Sequence, residues 1–249
     1  MSTGQGIPQA VVGWPDLFAA ARTGGAGLPG YVAQPRESLQ QSGLDRAFVE
    51  ACRRAFSGLA TRLPESGVVA VTSPYRGEGR SSVAAGLAVG LSRETEGRVL
   101  LADLDVARPS QASLFGVHPE PGVVDHLEDR GSLRVIGGGP SRRLWLLPAG
   151  SPPRGGVSRF VHLLTVSGFF ESCRQAFSWT VLDLPPLLDT PEAAMLVRQA
   201  DACILVGRYR STALNAVSRT AELIPADCPT GFVMTQDTSR VPGWISRLL

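Results

Sequence analysis

Residues 68–92 read VVAVTSPYRGEGRSSVAAGLAVGLS: an apolar run, a turn carrying Gly77 and Gly79, then a long stretch of small and apolar residues. The order strand, glycine turn, helix is the setting in which exposed backbone N–H groups and a helix N-terminus hold a phosphate. Two glycines let the backbone come close to such a ligand, and Ser81 stands where a hydroxyl would reach Mg²⁺. The match to GxxxxGK[ST] is imperfect, because Pro74 occupies the first glycine and Arg80 the lysine. Taken alone, the turn also reads as a tight strand-to-helix connection.

Two further segments weigh against that plainer reading. LLADLD sets Asp103 and Asp105 at the end of a second apolar run, and TVLDLPP sets Asp183 at the end of another. A strand-end aspartate taken singly is usually a cap. Three of them beside a phosphate turn are what a Mg²⁺-nucleotide site needs, since Mg²⁺ takes oxygen ligands and keeps several waters.

From residue 68 onward, short apolar runs (68–73, 99–105, 144–148, 180–184, 202–207 and 231–235) alternate with helical patterns at 81–93, 158–176, 191–199 and 212–224. Most of the runs are apolar on both faces. The expected fold is α/β, a mostly parallel central sheet with helices on both faces and ligands at the carboxyl ends of the strands. Before it, Leu44, Phe48, Cys52, Ala55 and Leu59 recur at helical spacing, with Ser42 and Asp45 as a capping box. Residues 1–40, rich in Gly, Pro, Gln and Ser, read as a flexible leader, and 41–249 as one domain.

The 249 residues are 43% hydrophobic, enough for one sizeable core, and the net charge of +2 argues against a nucleic-acid partner held by bulk charge. Cys52, Cys173, Cys203 and Cys228 are dispersed, so buried free thiols in a reducing compartment are expected rather than disulfides or a zinc site. His118, His126 and His162 lack metal-ligand spacing. No signal-peptide pattern and no run near the roughly 20 apolar residues of a membrane span is present, which predicts a cytoplasmic protein. The sequence contains no lysine, so all 24 basic residues are arginine and no chemistry can rest on lysine.

With these segments in hand, residues 44–236 resemble the bacterial tyrosine kinases of capsule and exopolysaccharide production, within the ParA/MinD group of P-loop ATPases with a deviant Walker motif. TSPYRGEGRSS resembles Walker A, VLLADLDVARPS the second acidic motif, and TVLDLPPLLDTPEA Walker B; EACRRAFSGL, GVVDHLEDRGSL, LWLLPAGSPP and DACILVGRYRST fall in the same order as the family's segments. The resemblance implies ATP or ADP with Mg²⁺ as cofactors. Gly77, Glu78, Gly79, Arg80, Ser81 and Ser82 would form the phosphate loop; Asp103, Asp105 and Arg80 would act in catalysis; Ser81, Asp105 and Asp183 would hold the metal.

The departures shape the expected function. Arg80 keeps a lysine's charge in a bulkier planar fork, which is not interchangeable with it and weakens nucleotide binding. Ala107 replaces a usual arginine, Glu192 an aspartate and Thr235 an asparagine, and Phe56 replaces the last arginine of a subunit-contact motif that keeps Glu50 and Arg53. The C-terminal tyrosine cluster that such kinases phosphorylate is missing, the tyrosines being Tyr31, Tyr75 and Tyr209. The reading is a degenerate, kinase-like regulator of polysaccharide synthesis or export. Its partner would be the cytoplasmic tail of a polysaccharide co-polymerase or export membrane protein, which would hold it at the inner face of the membrane, with self-association through the 44–59 helix. Alternatives are an active ATP-dependent protein-tyrosine kinase and a ParA/MinD-like positioning ATPase.

Overall fold

A computed structural model describes residues 13–23, 44–130, 133, 135–138 and 143–236. In chain order the elements are helices α1 (Trp14–Thr23) and α2 (Arg46–Ala60), strand β1 (Gly67–Thr72), α3 (Arg80–Glu94), β2 (Val99–Asp103), α4 (Gln111–Leu114), α5 (Val123–Leu127), β3 (Ile136–Gly138) and β4 (Leu144–Leu147). They continue with α6 (Gly156–Val166), α7 (Phe169–Ala176), β5 (Trp179–Asp183), a 3₁₀ turn at Pro191–Ala193, α8 (Ala194–Val197), β6 (Ala202–Arg208), α9 (Leu214–Ala221) and β7 (Thr230–Thr235).

The seven strands lie in the order β3-β4-β2-β5-β1-β6-β7. Every pairing is parallel except β3 with β4. Because side chains alternate along a strand, each run feeds two cores. Val68 and Ala70 of β1, with Leu100 and Ala102 of β2, face α5, α6 and α7. Val69, Val71, Val99 and Leu101 face α2 and α3. This is why the strands read as unbroken apolar runs. The sheet is α/β with helices on both faces, as the alternation predicts.

Helix α3 is buried along most of its length, and its glycines admit α2 at close range: a Cβ on Gly86 would stand 2.8 Å from Cys52 Sγ. Phe56, at the position where the family carries arginine, is 2% exposed and meets Trp179 edge-on with ring centroids 5.2 Å apart. It is a core residue here.

Several expectations are corrected. The leader read over 1–40 contains α1, in which Trp14, Leu17 and Phe18 are buried. Trp14 packs against His126 and Phe169 at 4.4 and 4.9 Å between centroids, and its Nε1–H donates to Ser167 Oγ at 3.0 Å. Burying Leu17 and Phe18 contributes about 1.5–3 kcal/mol each. The helix expected over 158–176 is two helices, broken at Gly168 with φ +77°. Asp45 is itself the N-cap of α2, accepting from Ala47 N–H at 3.2 Å, while Ser42 lies outside the described residues. β3 was not foreseen: Gly137 stands where any Cβ would meet the Trp145 ring at 2.7 Å, so the strand carries almost no apolar signal.

Candidate functional site

The phosphate turn leaves the carboxyl end of β1 at the middle of the sheet, flanked by β5 and β6. Gly77 and Gly79 have φ of +80° and +87°, a left-handed conformation that other residues adopt at a cost. Gly79 also lies under Thr235, whose Cγ2 would be 3.2 Å from an added Cβ. Helix α3 starts at once with Arg80, so its first N–H groups, which lack partners within the helix, open beside the turn. An open pocket of about 370 Å³ lies there, lined by Gly77, Gly79, Ser81, Ser82 and Ser110 together with Arg76, Arg80 and Arg108.

Glu78 sets the shape of the turn. It is 5% exposed, and its Oε2 accepts from Tyr75 N–H at 2.9 Å while its Oε1 accepts from the Thr212 hydroxyl. Thr212 Oγ1 in turn accepts from Arg208 N–H at 2.7 Å, and Thr235 Oγ1 donates to Glu78 O at 2.6 Å. The acidic residue inside the loop therefore straps it to the ends of β6 and β7.

The three aspartates gather under the turn. Asp103 and Asp183 are register partners on β2 and β5, both fully buried. Asp103 Oδ2 accepts from Ser110 and Gln111 N–H at 2.8 Å each, which makes it a cap for the 110–114 turn as well. The Gln111 amide donates to Asp183 Oδ2 at 2.7 Å and to Ser81 O at 2.9 Å. Asp103 Oδ1 and Asp183 Oδ1 are buried with no hydrogen-bond partner. Asp105 pairs with the Arg80 guanidinium, lies 3.5 Å from Arg76 Nη1, and accepts from Arg108 N–H.

Arg80 is held rather than free. Its Nε donates to Leu184 O at 2.6 Å and stands 3.9 Å from Asp183 Oδ1, while Nη2 donates to Asp105. Burial pushes the Asp103 carboxyl well above the usual range, and the facing Asp183 adds to this against the pull of the Gln111 and Ser110 amides. Burial also raises Asp183, opposed first by the Arg80 charge and then by the Gln111 and Ser81 side chains. Two carboxyls this close resist ionising together in the absence of a cation.

The fit to Mg²⁺ rests on Asp183 Oδ1, a buried carboxylate oxygen that accepts no hydrogen bond, and on Ser81, which lines the pocket and is tied to the same carboxylate through Gln111. Among the described residues no group of three or more His, Cys, Asp or Glu could hold a metal by itself. Mg²⁺ bound with a nucleotide needs one or two protein oxygens, the rest coming from phosphate and water, so Ser81 and Asp183 suffice, while Asp105, expected as a third ligand, is engaged by Arg80.

Every expected site residue thus lies at one end of the sheet. Sequence reading missed Gln111 and Thr212, which bind the acids and the loop respectively. Gln111 directly follows the VLLADLDVARPS segment, one residue beyond the motif, and only its place eight residues after Asp103 could have flagged it. Glu192 lies apart, accepting from Ser158 Oγ. Tyr31 falls outside the described residues.

No family model matches the chain. The tyrosine-protein kinase EpsB of Ralstonia nicotianae is 26% identical over 179 residues, 71% of this chain and 24% of that protein. The tyrosine-protein kinase YwqD of Bacillus subtilis is 28% identical over 157 residues, 63% of this chain and 65% of that protein. This chain therefore spans about a quarter of EpsB and somewhat under two thirds of YwqD. Among solved structures, the kinase domain of VpsO superposes with a TM-score of 0.63 at 26% identity, covering 76% of this chain and 95% of that domain. The kinase domain of Escherichia coli tyrosine kinase ETK gives 0.70 at 19% identity, covering 91% and 96%, a likeness of fold.

Proposed function

We propose, for a chain whose homologues are the bacterial tyrosine-protein kinases and whose fold is that of the MinD-like P-loop proteins, that it is a degenerate member. It binds a Mg²⁺-nucleotide and regulates polysaccharide synthesis or export through a membrane partner, transferring phosphate slowly or not at all. The observation that carries this reading is the Arg80–Asp105 pair. The cation at the lysine position and Asp105, one of the two carboxylates expected to serve as metal ligand or base, neutralise each other, so neither is free to serve a phosphate, a metal or a hydroxyl.

In this reading the N–H groups of residues 77–82 hold the phosphates, and Ser81 with Asp183 would hold the metal. Magnesium, when bound, would bridge phosphate oxygens and offset negative charge there. Gln111 fixes Asp183 and Ser81 relative to one another, and Glu78 keeps the loop open. Burial and the facing Asp183 shift the Asp103 carboxyl towards its protonated form, which cannot accept a proton, and a cation bound nearby would oppose that shift.

The partner proposed is the cytoplasmic tail of a polysaccharide export membrane protein, which would bring the chain to the inner face of the membrane. No helix among the described residues is long and apolar enough to cross one. Self-association through α2 would use Glu50 and Arg53, which pair with each other, Arg53 also reaching Glu94 at 2.9 Å. The deciding experiment incubates the purified chain with labelled ATP, Mg²⁺ and that tail. Nucleotide uptake with negligible tyrosine phosphorylation supports the proposal; robust phosphorylation makes the chain an active kinase.

A further inference from the structure

The guanidinium of Arg80 lies beneath the turn. Its side chain is 8% exposed, its Nε–H donating to Leu184 O and its Nη2 to Asp105. Arg80 lines the pocket together with two more exposed cations. Arg76, in the turn, has a side chain 32% exposed, with Nη1 3.5 Å from Asp105 and Nε 4.0 Å from Asp189. These are loose pairs, close enough to keep the guanidinium over the pocket and too long to satisfy its N–H groups. Arg108, exposed, also lines the pocket. Beside Gly77 there is open space, with no atom within 4 Å of an added Cβ.

We infer that the phosphate-contacting cation of this site has moved four residues along the loop: Arg76 is the side chain that binds the terminal phosphate of a nucleoside di- or triphosphate, and Arg80 is a buried counter-ion. The inference rests on the nucleotide reading above. Charge position supports the division of labour. Arg80 lies among Asp105 and Asp183, and moving it outward would strand buried carboxylates. Arg76 can turn from Asp105 to a phosphate at little cost, because a partly exposed pair is weak. A guanidinium also suits phosphate, offering two parallel N–H groups.

The test is calorimetric titration of the full chain with ADP and with AMP, in Mg²⁺, for the wild type, Arg76→Gln and Arg76→Lys. The expected result is ADP binding weakened about tenfold or more by Arg76→Gln, as for a lost charge-assisted contact. AMP binding should change less than about twofold and Arg76→Lys should recover part of the loss. The thermal midpoint of unliganded Arg76→Gln should stay at the wild-type value, since its pairs are loose. A wild-type chain that takes up neither nucleotide overturns the nucleotide reading itself. A wild type that binds ADP, alongside an Arg76→Gln variant that binds it equally well, overturns the assignment to Arg76 alone. Equal losses for AMP and ADP also overturn it, because the contact would then not be to the terminal phosphate.

Discussion

Replacing Arg80 by methionine keeps much of the side-chain volume and removes the cation. The Arg80 and Asp105 side chains are 8% and 2% exposed, so the variant leaves a carboxylate buried with its main partner gone. Breaking a buried pair in this way costs about 3–5 kcal/mol. Arg76, 3.5 Å from the same oxygen, cushions the loss towards the lower end, while Leu184 O loses a donor worth about 1 kcal/mol. The expected destabilisation is about 3–4 kcal/mol, a fall of roughly 10 °C in Tm for a chain of this size. Urea unfolding followed by circular dichroism measures it, with an unchanged m-value required for a like-for-like comparison. The double variant Arg80→Met, Asp105→Asn should recover more than half of the loss, because most of it is the stranded charge. A loss below about 1 kcal/mol, or no recovery on adding Asp105→Asn, would refute the placement of Arg80 beneath the turn.

Four further outcomes follow from the same geometry. Asp103→Asn imitates the protonated carboxyl; the folded pKa is raised to about 8, so Asp103 costs stability above its unfolded value. The variant should therefore gain in Tm at pH 8.5 and lose that gain towards pH 4. Burial lowers the pKa of His126, so the fold resists a proton that the unfolded chain accepts; stability should fall as pH drops below the ordinary histidine value of about 6.5, with a smaller slope in His126→Phe. Gly79→Ala should lose about 1–3 kcal/mol in urea unfolding, from its positive φ and the approach of Thr235 at 3.2 Å. Arg80→Lys keeps the buried charge beside Asp105 and leaves Arg76 in place, so ATP binding in a calorimetric titration should change by less than about threefold, and a large gain would move the phosphate contact to residue 80.

The sheet and the end that carries the site were legible in the sequence because parallel strands covered on both faces must be apolar throughout, and two of the runs carry aspartates at their carboxyl ends. Asp103, Asp105 and Asp183 announce themselves in this way. What escaped was whatever depends on a side chain's direction or on a partner distant in the chain. Arg80 could be placed at the lysine position but not turned under the loop, since its orientation is decided by Leu184 and Asp105, 104 and 25 residues away. Gln111 carries no motif, and its role exists only because β2 and β5 are neighbours. Helix α1 was lost among glycines and prolines, its apolar face being one tryptophan, one leucine and one phenylalanine. The break at Gly168 was hidden because both halves keep a helical pattern.

The most direct measurement is a crystal structure of the full chain grown with ADP and magnesium. The account predicts a diphosphate on the N–H groups of Gly77–Ser82, with Arg76 on its terminal phosphate, Asp183 beside the metal and Arg80 still bound to Asp105. A turn that holds no phosphate, or an Arg80 swung out onto it, would contradict the account.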